Sequence, residues 1–200
     1  MPSPLGHILA GIAVCLIGTR KGSRSRLILS ATLLGSILPD FDFLPGILIG
    51  DLRAFHHGVS HSLAVAVSFG LLVFFFTPQR EKAIALRAGI LAAAAYASHI
   101  ILDLVSVNEG TRGVPMLWPL SDQQFGLKLY LLGYFYYSDR SIWSVMRWDN
   151  ISALSRELVV IGSLVLLLLW GERRSTPTPR STPSRSAAQK GPINSRGFYE

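Results

Sequence analysis

Residues Leu158–Trp170 read LVVIGSLVLLLLW, and this stretch decides the fold because it is apolar on every side and carries no charge. A helix on the surface of a soluble protein has one apolar and one polar face, whereas a helix that is apolar all round lies in a large core or in lipid. Val65–Phe76 has the same character. The chain is 50% hydrophobic and only 16% charged, against about 25% charge in an average soluble domain. These features predict an all-α integral membrane protein.

Five apolar stretches predict a bundle of about five helices. They are Leu5–Gly18, Leu27–Leu38, His61–Thr77, Ala83–Val105 and Leu158–Gly171. A full span needs about 20 apolar residues, with roughly 17 as the lower limit, so the third and fourth stretches are predicted to cross the bilayer and the others are short. Short apolar runs also form core helices, so a compact soluble helical protein is the alternative. A signal peptide would need basic residues before the first stretch, and none are present, so we expect this helix in the mature protein.

Basic residues cluster in segments that alternate with the predicted helices. Most of the 19 Lys and Arg residues lie in segments 19–26, 78–87 and 172–200. The positive-inside rule then predicts a multi-pass protein of the cell inner membrane, with five spans, the N-terminus outside and the C-terminus in the cytoplasm. The net charge of +7 flanks apolar runs instead of covering a folded face, so nucleic acid is not expected as a partner. A single cysteine, Cys15, excludes an intrachain disulfide.

The chain is predicted to divide into a membrane-embedded domain at 1–171 and a basic tail at 172–200. The tail is rich in Ser, Thr, Pro and Arg, so we expect it to be disordered and close to anionic lipid head groups. Segment 113–150 of the membrane domain is rich in aromatic residues, which favour the membrane interface. We interpret this segment as an interfacial helix or packed loop at the outer surface. A lip that admits a lipid-like substrate is the alternative.

Histidine and aspartate residues gather at one end of the predicted bundle. Under the proposed orientation, eight of them lie at the outer ends of helices: His7, Asp40, Asp42, His56, His57, His61, His99 and Asp103. His57 and His61 are four residues apart, as are His99 and Asp103, and this spacing would place both side chains of a pair on one face of a helix. Imidazole and carboxylate together are ligands of zinc, iron and manganese, and ionisable residues at membrane depth are costly and tend to be functional. The pattern predicts a site for one or two divalent ions, most simply Zn²⁺, although each residue alone could be a helix cap or a turn residue.

The motifs around these residues resemble those of the YdjM-like inner-membrane metal-dependent hydrolases, a family also described as LexA-binding. They are Gly6-His7, the Leu-Pro-Asp-Phe-Asp run at 38–42, the His56-His57-Gly58-Val59-Ser60-His61-Ser62 run, and Ser98-His99 with Asp103, followed by the Gly-Val-Pro-Met-Leu-Trp-Pro run at 113–119. The match covers roughly residues 5–120 and preserves the order of the motifs. The resemblance implies a bacterial or archaeal membrane hydrolase with a divalent metal, distantly like zinc-dependent phospholipase C, an all-helical enzyme.

The resemblance and the chemistry of the side chains together give each residue an expected role. The expected metal ligands are His7, Asp40, His56, His61, His99 and Asp103. Asp42 is the expected general base or supporting carboxylate, since a base need not be a ligand. His57 stands where members of the family often carry arginine, so the permanent anion clamp is replaced by an extra ligand or by an acid that is charged only at lower pH.

The expected reaction is metal-assisted hydrolysis, in which the ion lowers the pKa of its bound water toward about 7 and polarises the scissile group. A site that opens at the head-group level suggests a phospholipid or another lipid-like ester as substrate. Two alternatives stay open. One is a transporter or sensor that binds metal without turnover, and the other is a structural or regulatory membrane protein.

Overall fold

Helix α5 lies at the centre of an all-α bundle. The computed structural model describes residues 2–19, 24–51, 54–78, 82–106, 112–127, 132–133 and 146–174. Its helices are α1 (Pro4–Gly18), α2 (Arg26–Ile37), α3 (Leu44–Ile49), α4 (Leu63–Phe76), α5 (Lys82–Val105), α6 (Trp148–Glu157) and α7 (Ser163–Arg174). A 3₁₀ turn at Leu38–Phe43 joins α2 to α3, a second at Val59–His61 precedes α4, and a π-helical turn at Leu158–Gly162 joins α6 to α7. The predicted all-α membrane bundle is confirmed.

Small residues allow α2 and α4 to approach α5 closely. A Cβ atom on Gly35 of α2 would lie 2.7 Å from the carbonyl oxygen of Ala92 on α5. Gly70 of α4 and Gly89 of α5 face each other in the same way, each with its Cβ position within 2.7 Å of the other's carbonyl oxygen. Such contacts are how helices associate in membranes, where apolar burial gives little driving force. The close packing holds α5, the helix that carries His99 and Asp103, against α2 and α4.

Three helical runs are long and apolar enough to cross a membrane. They are Arg26–Ile49, Lys82–Val105 and Trp148–Arg174, while α1 and α4 are shorter apolar helices. The helix predicted at His61–Thr77 is therefore too long. The Ser62 side chain caps the first turn of α4, and the helix ends at Phe76, before Thr77. The second and fifth predicted helices were expected to be short, and they are extended by the helical turns next to them.

Helix α7 continues through Arg174, so the first three residues of the segment predicted as the tail, 172–174, are helical. Two contacts hold this last turn. The Oε1 atom of Glu172 lies 2.5 Å from Nη2 of Arg24, and the guanidinium of Arg174 lies 3.7 Å from the ring centroid of Trp170. Residues 175–200, on which the predicted disorder falls, lie outside the described residues.

The longest described part of the aromatic-rich segment, at 113–127, is a loop packed on α4 and α5, while its last residues from Trp148 belong to α6. Val114 and Phe125 exchange two backbone hydrogen bonds of 2.8 and 3.0 Å. The carbonyl oxygen of Met116 accepts from the amide of Leu63 at the start of α4, and Val114 is fully buried against Tyr96. Most of the remaining aromatic residues of the segment lie outside the described residues: Tyr130, Tyr134, Phe135, Tyr136, Tyr137 and Trp143.

Candidate metal centre

Four side chains from three separate parts of the chain meet at one buried point. His99 and Asp103 come from successive turns of α5, with Nε2 and Oδ2 only 3.1 Å apart. His61, from the 3₁₀ turn before α4, places its Nε2 3.3 Å from the same Asp103 oxygen. Asp40, from the turn after α2, places Oδ1 3.4 Å from Nε2 of His99. One ligand atom from each of the four residues lies within 4.8 Å of the others.

Helix α1 adds His7 on the opposite side of the Asp103 carboxylate. Its Nε2 lies 3.6 Å from Oδ1 of Asp103, and its ring stacks on the ring of His99 at a centroid distance of 3.7 Å. His7 is fully buried. The two oxygens of Asp103 therefore face different sets of imidazoles, with His7 on one side and His61 and His99 on the other.

The outer ring nitrogens of His61 and His99 are fixed by acceptors, which determines what the inner nitrogens can do. The Nδ1 of His99 lies 2.7 Å from the carbonyl oxygen of Ser36, and the Nδ1 of His61 lies 3.1 Å from Oδ2 of Asp42. A carbonyl and a carboxylate oxygen only accept, so both Nδ1 atoms carry the proton and donate. When both rings are neutral, their Nε2 lone pairs face each other across 3.3 Å. A cation between them, or a proton on one of them, removes this conflict.

Several buried atoms of the cluster have no hydrogen-bond partner among the described residues. They are both ring nitrogens of His7, Oδ1 of Asp40, Nε2 of His57 and both carboxylate oxygens of Asp103. A buried polar atom that is left unsatisfied costs about 1–3 kcal/mol. The unsatisfied atoms are imidazole nitrogens and carboxylate oxygens, which are ligands of divalent transition metals. The residues of the cluster therefore fit a divalent metal ion.

Asp42 lies behind His61 and holds the surrounding turns together. Its Oδ2 accepts from Ser60 Oγ at 2.8 Å and from the amide of Gly58 at 3.4 Å, in addition to His61. Its Oδ1 accepts from Nδ1 of His56 at 2.9 Å. Tyr96 of α5 supports the same turn, because its hydroxyl donates to the carbonyl oxygen of Ser60 over 2.8 Å. A carboxylate that receives the second N–H of a metal-ligating histidine fixes the ring orientation and raises its basicity.

His57 and His61 do not share a helix face, so that prediction from spacing is wrong. His57 lies in a turn before Gly58 and adopts a φ of 59°, in the left-handed region that non-glycine residues seldom occupy. Its Nδ1 lies 3.1 Å from the carbonyl oxygen of Arg112, and its Nε2 lies 3.8 Å from Oδ2 of Asp103. Strained backbone of this kind is concentrated at functional sites. Here it turns His57 toward the cluster.

The surroundings shift the pKa values of these two histidines in opposite directions. Burial lowers the pKa of His57 to about 4, although the nearby Asp103 acts to raise it. Burial also acts to lower the pKa of His61, but the nearby carboxylates of Asp103 and Asp42 outweigh it and raise the pKa to about 9. In the metal-free protein at neutral pH, His57 is therefore neutral and His61 holds a proton that an incoming metal ion would displace.

Glu157 is a residue that the sequence interpretation missed. Its side chain is fully buried and accepts from the Ser3 amide at 2.7 Å and from the Ser3 hydroxyl. The Ser3 hydroxyl in turn accepts from the amide of Gly6 at 3.2 Å, and a Cβ atom on Gly6 would lie 2.7 Å from Oε2 of Glu157. Glu157 thus anchors the first turn of α1, directly before His7. The available signal was a lone acidic residue immediately before the apolar run at Leu158–Trp170.

The fold and the site define a class of protein: a helical membrane bundle with a buried histidine and aspartate cluster suited to a metal ion. A model of the YdjM inner membrane protein family matches residues 1–175, so the chain belongs to that family, and the resemblance seen in the motifs is confirmed. It is 34% identical to the inner membrane protein YbcI of Escherichia coli (strain K12) over 131 residues, which are 62% of this chain and 72% of YbcI. No solved structure matches the chain. The inner-membrane location is supported, while the orientation and the number of spans stay predictions.

Proposed function

We propose that this protein is a membrane-bound metal-dependent hydrolase that cleaves a phosphoester or other ester of a lipid-like substrate. The observation that carries the proposal is the meeting of the Nε2 atoms of His61 and His99 with the carboxylates of Asp40 and Asp103 at one buried point. A soft-to-intermediate ion such as Zn²⁺ suits this mixture of imidazole and carboxylate ligands. All of these residues lie within the part of the chain that the family model covers.

The proposed ligands of one ion are Asp40, His61, His99 and Asp103. His7 faces the other oxygen of Asp103, so it would complete the site or, with a bridging Asp103 carboxylate, bind a second ion. The remaining predicted ligand is His56. Nδ1 of His56 donates to Asp42, so Nε2 is the ring nitrogen that it would turn toward an ion or a substrate.

A bound ion of this kind supplies a water molecule of lowered pKa and polarises the ester that is attacked. The protein side chains orient and move protons around it. Asp42 holds the Nδ1 proton of His61 and links it to His56, which is only partly buried. Asp42 would then be the proton acceptor between the buried ligands and the more exposed side of the centre. His57, which is neutral at pH 7, would contact the substrate as a hydrogen-bond donor or acceptor instead of as a fixed cation.

A metal-binding protein without turnover is the second candidate function. The observation that favours it is the complete burial of His7, His61 and His99, which suits retention of an ion as well as catalysis. A transporter would need ionisable groups along a path through the bundle. Among the described residues, the polar pair at the opposite end is Arg24 and Glu172, which bind each other. This contact favours a sensor over a transporter as the non-catalytic alternative.

Metal analysis of the protein purified in detergent tests the proposal. His61→Ala and His99→Ala should each lose the bound ion, whereas the exposed loop variant Asp122→Asn should keep it. The metal-loaded wild-type protein is then assayed on a panel of phosphoesterase and lipase substrates. Full metal content in both histidine variants would show that the ligand assignment is wrong. Metal binding without hydrolysis of any substrate in the panel would favour the sensor.

A further inference from the structure

The metal centre is closed on most sides and open on one. His7, His61, His99 and Asp103 are at most 1% exposed. The side chains of Asp40, Asp42, His56 and His57 are 9–15% exposed, so the centre is most exposed at these residues. They lie on the 3₁₀ turn at Leu38–Phe43 and on the loop at 54–61, and we call the exposed side where these two segments meet the opening.

The rim of this opening is apolar. Phe41 and Phe55 are each 46% exposed and Val59 is 52% exposed. Phe41 lies between Asp40 and Asp42, Phe55 precedes His56, and Val59 lies between Gly58 and Ser60, which donate to Asp42. The apolar surface continues into α3, where Leu48 is 88% exposed. We call Phe41, Phe55 and Val59 the rim. Contiguous exposed apolar side chains mark a surface that contacts a membrane, another protein or a ligand, and a substrate that is small and polar would not need them.

Two short apolar helices begin beside the metal centre, since α4 begins two residues after His61 and α1 begins three residues before His7. Helix α4 has 14 residues and α1 has 15, which at about 1.5 Å per residue gives about 21–22 Å. In the helical run Trp148–Arg174, the stretch between Arg156 and Glu172 has about the same length. Both of these charged residues are at least partly exposed. Helices α1 and α4 are therefore shorter than the hydrocarbon core of about 30 Å, and a short apolar segment is accommodated by local thinning of the bilayer. Thinning would bring the ester level of the nearer leaflet to the rim.

We propose that a membrane lipid enters the metal centre sideways from the adjacent leaflet, polar end first, with its acyl chains along the rim. This inference rests on the proposed function and narrows its substrate class to lipids that reside in a bilayer, as opposed to esters that arrive from water. The lipid's polar end reaches Asp40 and His56 first, and the buried ligands lie directly behind them.

Spin labels on the rim test the inference without any measurement of turnover. In the full chain with Cys15→Ala, Val59→Cys is labelled and reconstituted into phosphatidylcholine vesicles, with Asp122→Cys as the matched exposed position on the loop at 112–127. Oxygen, which concentrates in the hydrocarbon, should relax the Val59 label at least twofold more than water-soluble chromium oxalate does. At Asp122→Cys, chromium oxalate should relax the label more strongly than oxygen does. The metal content of each labelled protein confirms that the centre is intact.

The outcomes separate this inference from the proposed function. If chromium oxalate relaxes the Val59 label as strongly as it relaxes the Asp122 label, the opening faces water and lateral entry is overturned, whatever the protein hydrolyses. A second arm compares Phe55→Asp with Leu120→Asp. The rim variant should lose at least tenfold in hydrolysis of vesicle phospholipid but retain hydrolysis of a monomeric short-chain phospholipid with the same head group. An equal loss of hydrolysis on both substrates would contradict the proposed contact between the rim and the acyl chains of a bilayer lipid.

Discussion

Replacing Asp42 with asparagine tests whether Asp42 orients a metal ligand or is itself a metal ligand. In the wild type, one carboxylate oxygen accepts from His56 and the other accepts from His61, Ser60 and Gly58. An asparagine has one acceptor oxygen, so its NH₂ group must face one of these donors. The orienting contact to the Nδ1 proton of His61 is then lost or weakened.

The expected size of the effect follows from the position of Asp42 behind His61. Loss of a carboxylate that supports a metal-ligating histidine weakens metal affinity about 10–100-fold, which corresponds to about 1.4–2.7 kcal/mol. The assay is a competition titration of Zn²⁺ against a chelator of known affinity, with the detergent-purified protein. Asp122→Asn removes an exposed carboxylate of the same kind and should stay within twofold of the wild type. An Asp42→Asn dissociation constant within twofold of the wild type would falsify the orienting role, and complete loss of Zn²⁺ would identify Asp42 as a ligand.

Two further predictions concern protons and the anchor of α1. Zn²⁺ affinity should rise between pH 7 and 9, about tenfold per pH unit for one displaced proton, because the pKa of His61 is raised to about 9. A flat titration over this range would contradict His61 as a ligand. Glu157→Ala should lower the free energy of unfolding by about 1–3 kcal/mol, because the buried Ser3 donors lose their acceptor. Denaturant unfolding in mild detergent measures this, and an equal loss in the exposed Ser155→Ala variant would refute the anchor.

The fold was predictable where apolar residues alone define a helix, and less so at the helix ends. The run at Leu158–Trp170 predicts a helix, but its start at Trp148 is hidden because the preceding turns carry Asp149 and Arg156 on an amphipathic face. Pro39 suggests that the second helix stops, yet the chain stays helical because a proline fits the first turn of the 3₁₀ segment at Leu38–Phe43. Hydrophobicity reports which residues avoid water, whereas these boundaries depend on caps and turns.

The candidate site was predictable in its membership but not in its arrangement. A spacing of four residues correctly predicts that His99 and Asp103 meet, since both lie within one regular helix. The same spacing fails for His57 and His61, because Gly58 and the positive φ of His57 break the helical path between them. Glu157 was overlooked because its partners at Ser3 lie at the other end of the chain. Contacts of this range depend on tertiary packing, which periodicity does not encode.

The ligands come from α1, from the turn after α2, from the turn before α4 and from α5, so metal binding and assembly of the bundle are coupled. Each ligand atom that has no protein partner raises the energy of the packed state until a cation satisfies it. Helix association in lipid has little apolar driving force to offset that energy. Small residues such as Gly35 and Gly70 offset part of this energy because they let the helices pack closely, and the Glu157 anchor fixes α1. A variant that removes a ligand should therefore lose the ion and the stability that the ion adds to the packed bundle, whereas loss of Glu157 should loosen α1 and displace His7.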